Sequence, residues 1–107
     1  MVRADKTSIA ILGGTGNLGP GLALRWAHAE HEVIIGSRKA DKAQEVAAEL
    51  NAELGQELIQ GMANEDAAQA APISVLTVQQ EAHQAALSSL RDVLQGRILV
   101  DATARLN

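Results

Sequence analysis

The sequence predicts an α/β fold in which one parallel sheet is covered by helices on both faces. Three observations carry that prediction. Short apolar runs rich in β-branched residues alternate with longer amphipathic segments, glycines stand at the junctions, and the connections are only a few residues long. Right-handed crossovers then place successive helices above or below the sheet, and the expected strand order is 3-2-1-4-5.

Met1 to Lys6 reads as a polar lead-in. Ser8-Ile9-Ala10-Ile11-Leu12 follows as a short apolar run stopped by glycines, the pattern of a strand buried on both faces. Leu18, Leu22 and Trp26 recur at spacings of four, which places them on one face of a first helix, with His28 to Glu32 as the polar connection out of it. Val33-Ile34-Ile35-Gly36 is the second strand. From Lys39 onward, Ala43, Val46, Ala47, Leu50 and Leu54 keep helical spacing, and Gly55 stands where a C-cap belongs. A short third strand is expected over Glu57 to Gly61. Asn64 then caps a short helix through Ala71, which Pro72 ends. Ile73 to Val78 forms a fourth strand. Ala86, Leu87, Leu90, Val93 and Leu94 mark another amphipathic helix, and Arg97 to Asp101 forms a fifth strand after the turn at Gly96.

The totals narrow the range of functions. A length of 107 residues suits a single domain spanning 1–107. Hydrophobic residues at 47% against 21% charged give the balance of a chain that folds. The net charge of −4 leaves no overall basic field for nucleic acid or an anionic membrane, so an anion has to be held locally. Trp26 is the only aromatic residue, which removes the stacking platforms used to grip single strands. No cysteine is present, which excludes disulfides and thiolate chemistry. The first residues are charged, and no apolar run reaches membrane-spanning length, so the expected location is cytoplasmic with no membrane partner.

Gly14-Thr15-Gly16-Asn17-Leu18-Gly19 follows the first strand and opens the first helix. A strand-to-helix turn needs fewer glycines than this. In a β-α-β unit they let the backbone approach a pyrophosphate, with the helix N-terminus supplying N–H groups and a favourable dipole. That is the signature of a Rossmann-type domain. Thr15 and Asn17 are candidate phosphate ligands. At the end of the second strand, where NAD-binding domains place an acid on the ribose 2′-hydroxyl, the chain reads Gly36-Ser37-Arg38-Lys39. A carboxylate would repel a 2′-phosphate, whereas a hydroxyl and a guanidinium hydrogen-bond it. Lys42 lies one helical turn beyond Arg38. The expected cofactor is therefore NADP(H) rather than NAD(H). Thr77 and Val78, at the carboxyl end of the fourth strand, are expected beside the nicotinamide. His83 and Asp101 read as surface and turn residues rather than a proton-transfer pair. His28 and His31 lack the spacing of zinc ligands on a shared face, and no metal is expected.

Several stretches together resemble one known family. They are Ile11-Leu12-Gly13-Gly14-Thr15-Gly16-Asn17-Leu18-Gly19, Gly36-Ser37-Arg38 with Lys42, Gly61-Met62-x-Asn64-x-Asp66-Ala67-Ala68, and Val75-Leu76-Thr77-Val78. They are similar to the N-terminal domain of NADPH-dependent reductases of the deazaflavin coenzyme F420, over nearly the whole chain. The resemblance implies that Thr15, Gly16, Asn17, Leu18, Ser37, Arg38 and Lys42 hold the phosphates of NADP(H), with Thr77 and Val78 toward the nicotinamide. It also implies hydride transfer between nicotinamide and deazaflavin, which needs stacked rings and no catalytic side chain. Two features depart from the family pattern. After the fourth strand the family carries a Pro-Trp-Glu-His-like stretch, where this chain reads Gln79-Gln80-Glu81-Ala82. The family also continues past the fifth strand into a helical domain that completes the substrate pocket and the dimer. On this reading the chain carries the NADP half, and a partner chain or homodimer supplies the missing wall.

Two other readings fit parts of the sequence. One is a non-catalytic NADP(H)-binding sensor or docking module. The other is a relative of short-chain-reductase-like sensors, which share the spacing Gly13-x-x-Gly16-x-x-Gly19. Such enzymes need a tyrosine for catalysis, and this chain has none.

Overall fold

The computed structural model describes residues 8–13, 19–77, 96 and 98–101. They form a five-stranded sheet in the order β3-β2-β1-β4-β5, with every pairing parallel. The elements in chain order are β1 (Ile9–Leu12), α1 (Gly19–His28), β2 (Val33–Ser37), α2 (Ala40–Leu54), β3 (Ile59–Ala63), α3 (Asn64–Ala70), β4 (Ile73–Leu76) and β5 (Ile98–Asp101). The predicted fold class and strand order are the ones observed. The helix expected around Ala86 to Leu94 lies outside the described residues. No helix among the described residues is long and apolar enough to cross a membrane.

Strand register explains the two cores. Side chains alternate across a sheet, so alternate residues of β1 face opposite layers. Ile11 joins Val33, Ile35 and Ile59 under α1 and α2, against Ala23, Ala27, Ala43, Ala47 and Leu50. Ala10, Leu12, Ile34 and Leu76 face the other way, against Ala67, Ala68 and Ala71 at α3. β1 and β2 are buried along their whole length, as continuous apolar runs in a doubly covered parallel sheet should be.

The first helix turns a different stripe inward from the one its large residues suggest. Gly19, Ala23 and Ala27 are buried, while Leu22 and Trp26 are half-buried at its flank. Small residues at spacings of four let the helix axis approach the sheet, and the larger side chains are displaced to the side of the contact. Together with Ile9, Ile73, Val75 and Val100, Leu22 and Trp26 line an apolar groove beside α1. Ile98 and Val100 on β5 are 60% and 47% exposed. Beyond α1, Glu30 takes a left-handed backbone (φ 70°), and the His31 N–H reaches the Trp26 carbonyl at 3.1 Å, closing the helix.

The third strand starts two residues later than the sequence pattern suggests, at Ile59 rather than Glu57. The reason is a side chain in α2. Gly55 ends that helix at φ 78°, donating to the Asn51 carbonyl at 2.8 Å. The Asn51 amide group meanwhile donates to the Ile59 carbonyl at 2.7 Å and accepts the Ile59 N–H at 3.0 Å. A buried asparagine thus pairs with the strand as a neighbouring strand would, and residues 55–58 are used in turning out of the helix. Asn51→Ala is expected to leave both Ile59 groups unmet and to cost about 2–3 kcal/mol, read from the denaturant midpoint at unchanged slope.

Candidate functional site

Parallel strands bring their carboxyl ends to one edge. The register pairs Leu12 with Gly36 on one side and with Leu76 on the other, Ser37 with Ala63, and Leu76 with Asp101. One residue further along, Gly13, Asn64 and Thr77 converge on that edge beside Ser37. The chain runs from β1 outward to β2 and β3, then returns to β4 on the other side of β1. The end of β1 is therefore the topological switch point, where ligands settle in open α/β sheets.

Gly13 is held from both sides at this point. Its backbone is left-handed (φ 73°), a conformation glycine adopts without the penalty other residues meet. Its N–H donates to Asn64 Oδ1 at 3.1 Å. Its carbonyl accepts from the Thr77 hydroxyl at 3.1 Å, which also reaches the Leu12 carbonyl at 3.0 Å, and the Thr77 N–H bonds Leu12 as well. Thr77 thus turns its hydroxyl back onto the end of β1. Asn64 does not cap α3 as expected from sequence. The N-cap is Ala63, with no side-chain cap, and Asn64 is the first helical residue with its amide oxygen directed at β1. The competition is between two orphan N–H groups, and the one at the strand end takes the oxygen.

The end of β2 presents the second half of the site. Ser37 is 8% exposed, and its hydroxyl oxygen accepts the Lys39 N–H at 3.3 Å, which turns the chain into α2. Arg38, Lys39 and Lys42 are all exposed around the first turn of that helix. Among the described residues no carboxylate pairs with any of the three; the nearby Asp41 accepts the Lys42 backbone N–H at 3.0 Å. Cations at a helix N-terminus oppose the dipole, so three of them beside the single Asp41 of that turn make a place where a further anion is favourable. The predicted phosphate-loop residues Gly14, Thr15, Gly16, Asn17 and Leu18 lie outside the described residues, as do Val78 and His83; Gly19 is buried and opens α1. Asp101 closes β5 opposite Leu76. Asn64 is the residue whose role sequence reasoning missed, since its link to Gly13 spans 51 positions and has no local signature.

A parallel sheet of this order, with a glycine-marked first strand-to-helix junction at its switch point, defines a Rossmann-type domain of the class found in dehydrogenases. Solved structures show the same fold. Lactate dehydrogenase from Eimeria maxima, solved with NADH and oxamate, matches with a TM-score of 0.64 at 13% identity, over 99% of this chain and 38% of that one. Quinate dehydrogenase from Corynebacterium glutamicum, solved with NAD, matches with a TM-score of 0.59 at 22% identity, over 71% of this chain and 28% of that one. The family model for coenzyme F420-dependent NADP oxidoreductases matches residues 8–105, and the chain belongs to that family. It is 42% identical to the F420-dependent NADP reductase of Methanothermobacter thermautotrophicus, over 100% of this chain and 47% of that protein. The same-named proteins of Methanothermobacter marburgensis and Methanocaldococcus jannaschii are 45% and 42% identical, over 92% and 86% of this chain and 45% and 43% of theirs. The chain thus spans less than half the length of these relatives.

Proposed function

We propose that this chain is the NADP(H)-binding domain of an oxidoreductase that passes hydride between NADP(H) and a deazaflavin of the F420 type. The observation that carries the reading is the exposed cluster of Arg38 and Lys39 before α2 and Lys42 on its first turn, beside Ser37 at the carboxyl edge of the sheet. Its donor set fits a 2′-phosphate: a planar guanidinium for two oxygens, a hydroxyl, and an ammonium one turn away. The end of β2 itself, Gly36 to Lys39, carries no acid to receive a bare 2′-hydroxyl.

Under this reading Ser37, Arg38 and Lys42 hold the 2′-phosphate. Gly14, Thr15, Gly16, Asn17, Leu18 and Gly19 carry the pyrophosphate over the α1 N-terminus. Thr77, with Val78 after it, borders the nicotinamide side of the switch point, where its hydroxyl keeps the end of β1 in place. NADP(H) supplies the hydride from its nicotinamide ring. The domain contributes binding, orientation and exclusion of water, and no side chain has to move a proton. Family membership and the shared names of the three relatives support the deazaflavin as the other reactant.

The test mixes the purified chain with NADPH and a deazaflavin and follows loss of NADPH absorbance, alongside equilibrium binding of NADPH. Turnover supports the full reading. Binding without turnover supports the NADP(H)-binding domain and leaves its hydride acceptor as a proposal, and absence of NADPH binding overturns the reading.

A further inference from the structure

The contact between Asn64 and Gly13 crosses the sheet. Asn64 follows β3, Gly13 follows β1, and β2 lies between them with the register Leu12, Gly36, Met62. The side chain gets across because Gly36 has none. A Cβ at Gly36 would stand 2.7 Å from Asn64 Oδ1 and 3.2 Å from both the Asn64 Cα and the Ala67 Cβ. The first of these is closer than real Cβ contacts come, so any side chain at 36 would push the amide off Gly13. Gly36 is a slot, and Asn64 is the arm that passes through it.

What the arm reaches is the entry to the glycine sequence. With the Gly13 N–H bonded to Asn64 and its carbonyl bonded to Thr77, both peptide groups of this left-handed residue are oriented from opposite sides of β1. The end of β1 at Gly13 is thereby held by side chains that follow β3 and β4. Backbone donors bind an anion well only when they are already aimed, because aiming them on binding costs conformational entropy.

We propose that Asn64 is a positioning residue for the cofactor pyrophosphate, acting through the Gly13 N–H and dependent on the gap at Gly36. This rests on the reading that Gly14 to Gly19 carries the pyrophosphate.

Three measurements on the full chain test this: binding of NADPH, binding of adenosine 2′-monophosphate, and hydrogen exchange at the Gly13 amide. Adenosine 2′-monophosphate carries the 2′-phosphate without a pyrophosphate. Asn64→Ala is expected to weaken NADPH binding about tenfold, to leave adenosine 2′-monophosphate within about twofold, and to speed Gly13 exchange. Asn64→Asp keeps an acceptor at this position and is expected to keep Gly13 protected. Gly36→Ala displaces the amide while leaving Asn64 in the sequence, and is expected to reproduce the Asn64→Ala pattern. It also serves as the second variant if Asn64→Ala does not fold. Unchanged NADPH affinity in Asn64→Ala or Gly36→Ala overturns the inference, as does an equal loss for both ligands, which marks a general structural role. Wild-type chain that binds adenosine 2′-monophosphate but not NADPH overturns the pyrophosphate reading itself, and with it this proposal.

Discussion

Arg38→Ala is expected to weaken NADPH binding about 10- to 100-fold while leaving NADH binding within about twofold, measured as dissociation constants under one salt condition. The argument is local. Arg38 is exposed at the end of β2, so its removal opens no cavity and breaks no ion pair among the described residues. Under the proposed reading it loses a charge-assisted contact that only a 2′-phosphate makes. Lys42→Ala is expected to do the same more weakly, about three- to fivefold, because an ammonium one turn along the helix acts as a screened point charge. For the same reason NADPH affinity should fall more steeply with added salt than NADH affinity. Equal losses for the two nucleotides in Arg38→Ala would place the residue outside the 2′-phosphate contact.

Among Gly21, Gly36, Gly55, Gly61 and Gly96, Gly61→Ala should be the most damaging change, at about 3 kcal/mol or more of lost stability, while Gly21→Ala should add about 0.5–1 kcal/mol. The two glycines differ in what a Cβ would meet. At Gly61 it would overlap the backbone of α2 at Ala43 and Gln44, which cannot rotate aside. At Gly21, on the exposed side of α1, it would meet nothing within 4 Å. Chemical denaturation of both variants checks the pair, and destabilisation by Gly21→Ala comparable to that by Gly61→Ala would show that helix–sheet approach is not what Gly61 serves. The effect also reaches the site. Gly61 lets α2 lie against β3 next to its first turn, so displacing the helix carries Lys42 away from Ser37, and NADPH affinity should fall along with stability.

Much of the fold was legible because periodicity and punctuation agree. The buried runs at Ile9–Leu12 and Val33–Ser37 read as strands from their β-branched residues, and the left-handed C-cap at Gly55 was visible as a glycine after Leu54. Strand order followed from connection lengths and crossover handedness. What failed was whatever depends on tertiary contact. The inner face of α1 is set by Gly19, Ala23 and Ala27, because close approach to the sheet outweighs the pull of Leu22 and Trp26 toward the core. The start of β3 is set by Asn51, and the role of Asn64 by a strand end 51 positions away. Both are asparagines whose local sequence suggests helix surface or helix cap. For the candidate site, the proposal at Ser37 to Lys42 could be drawn from local chain order, since a hydroxyl, a guanidinium and a helix start follow one another there. The anchoring of Gly13 could not, since neither Asn64 nor Thr77 is near it in sequence.

The central claim is that the end of β2 reads a 2′-phosphate, and calorimetric titration of the unmodified chain with NADPH and with NADH tests it most directly. The account predicts that NADPH binds at least about tenfold more tightly, the difference a charge-assisted phosphate contact supplies. Equal affinities, or tighter binding of NADH, would contradict it.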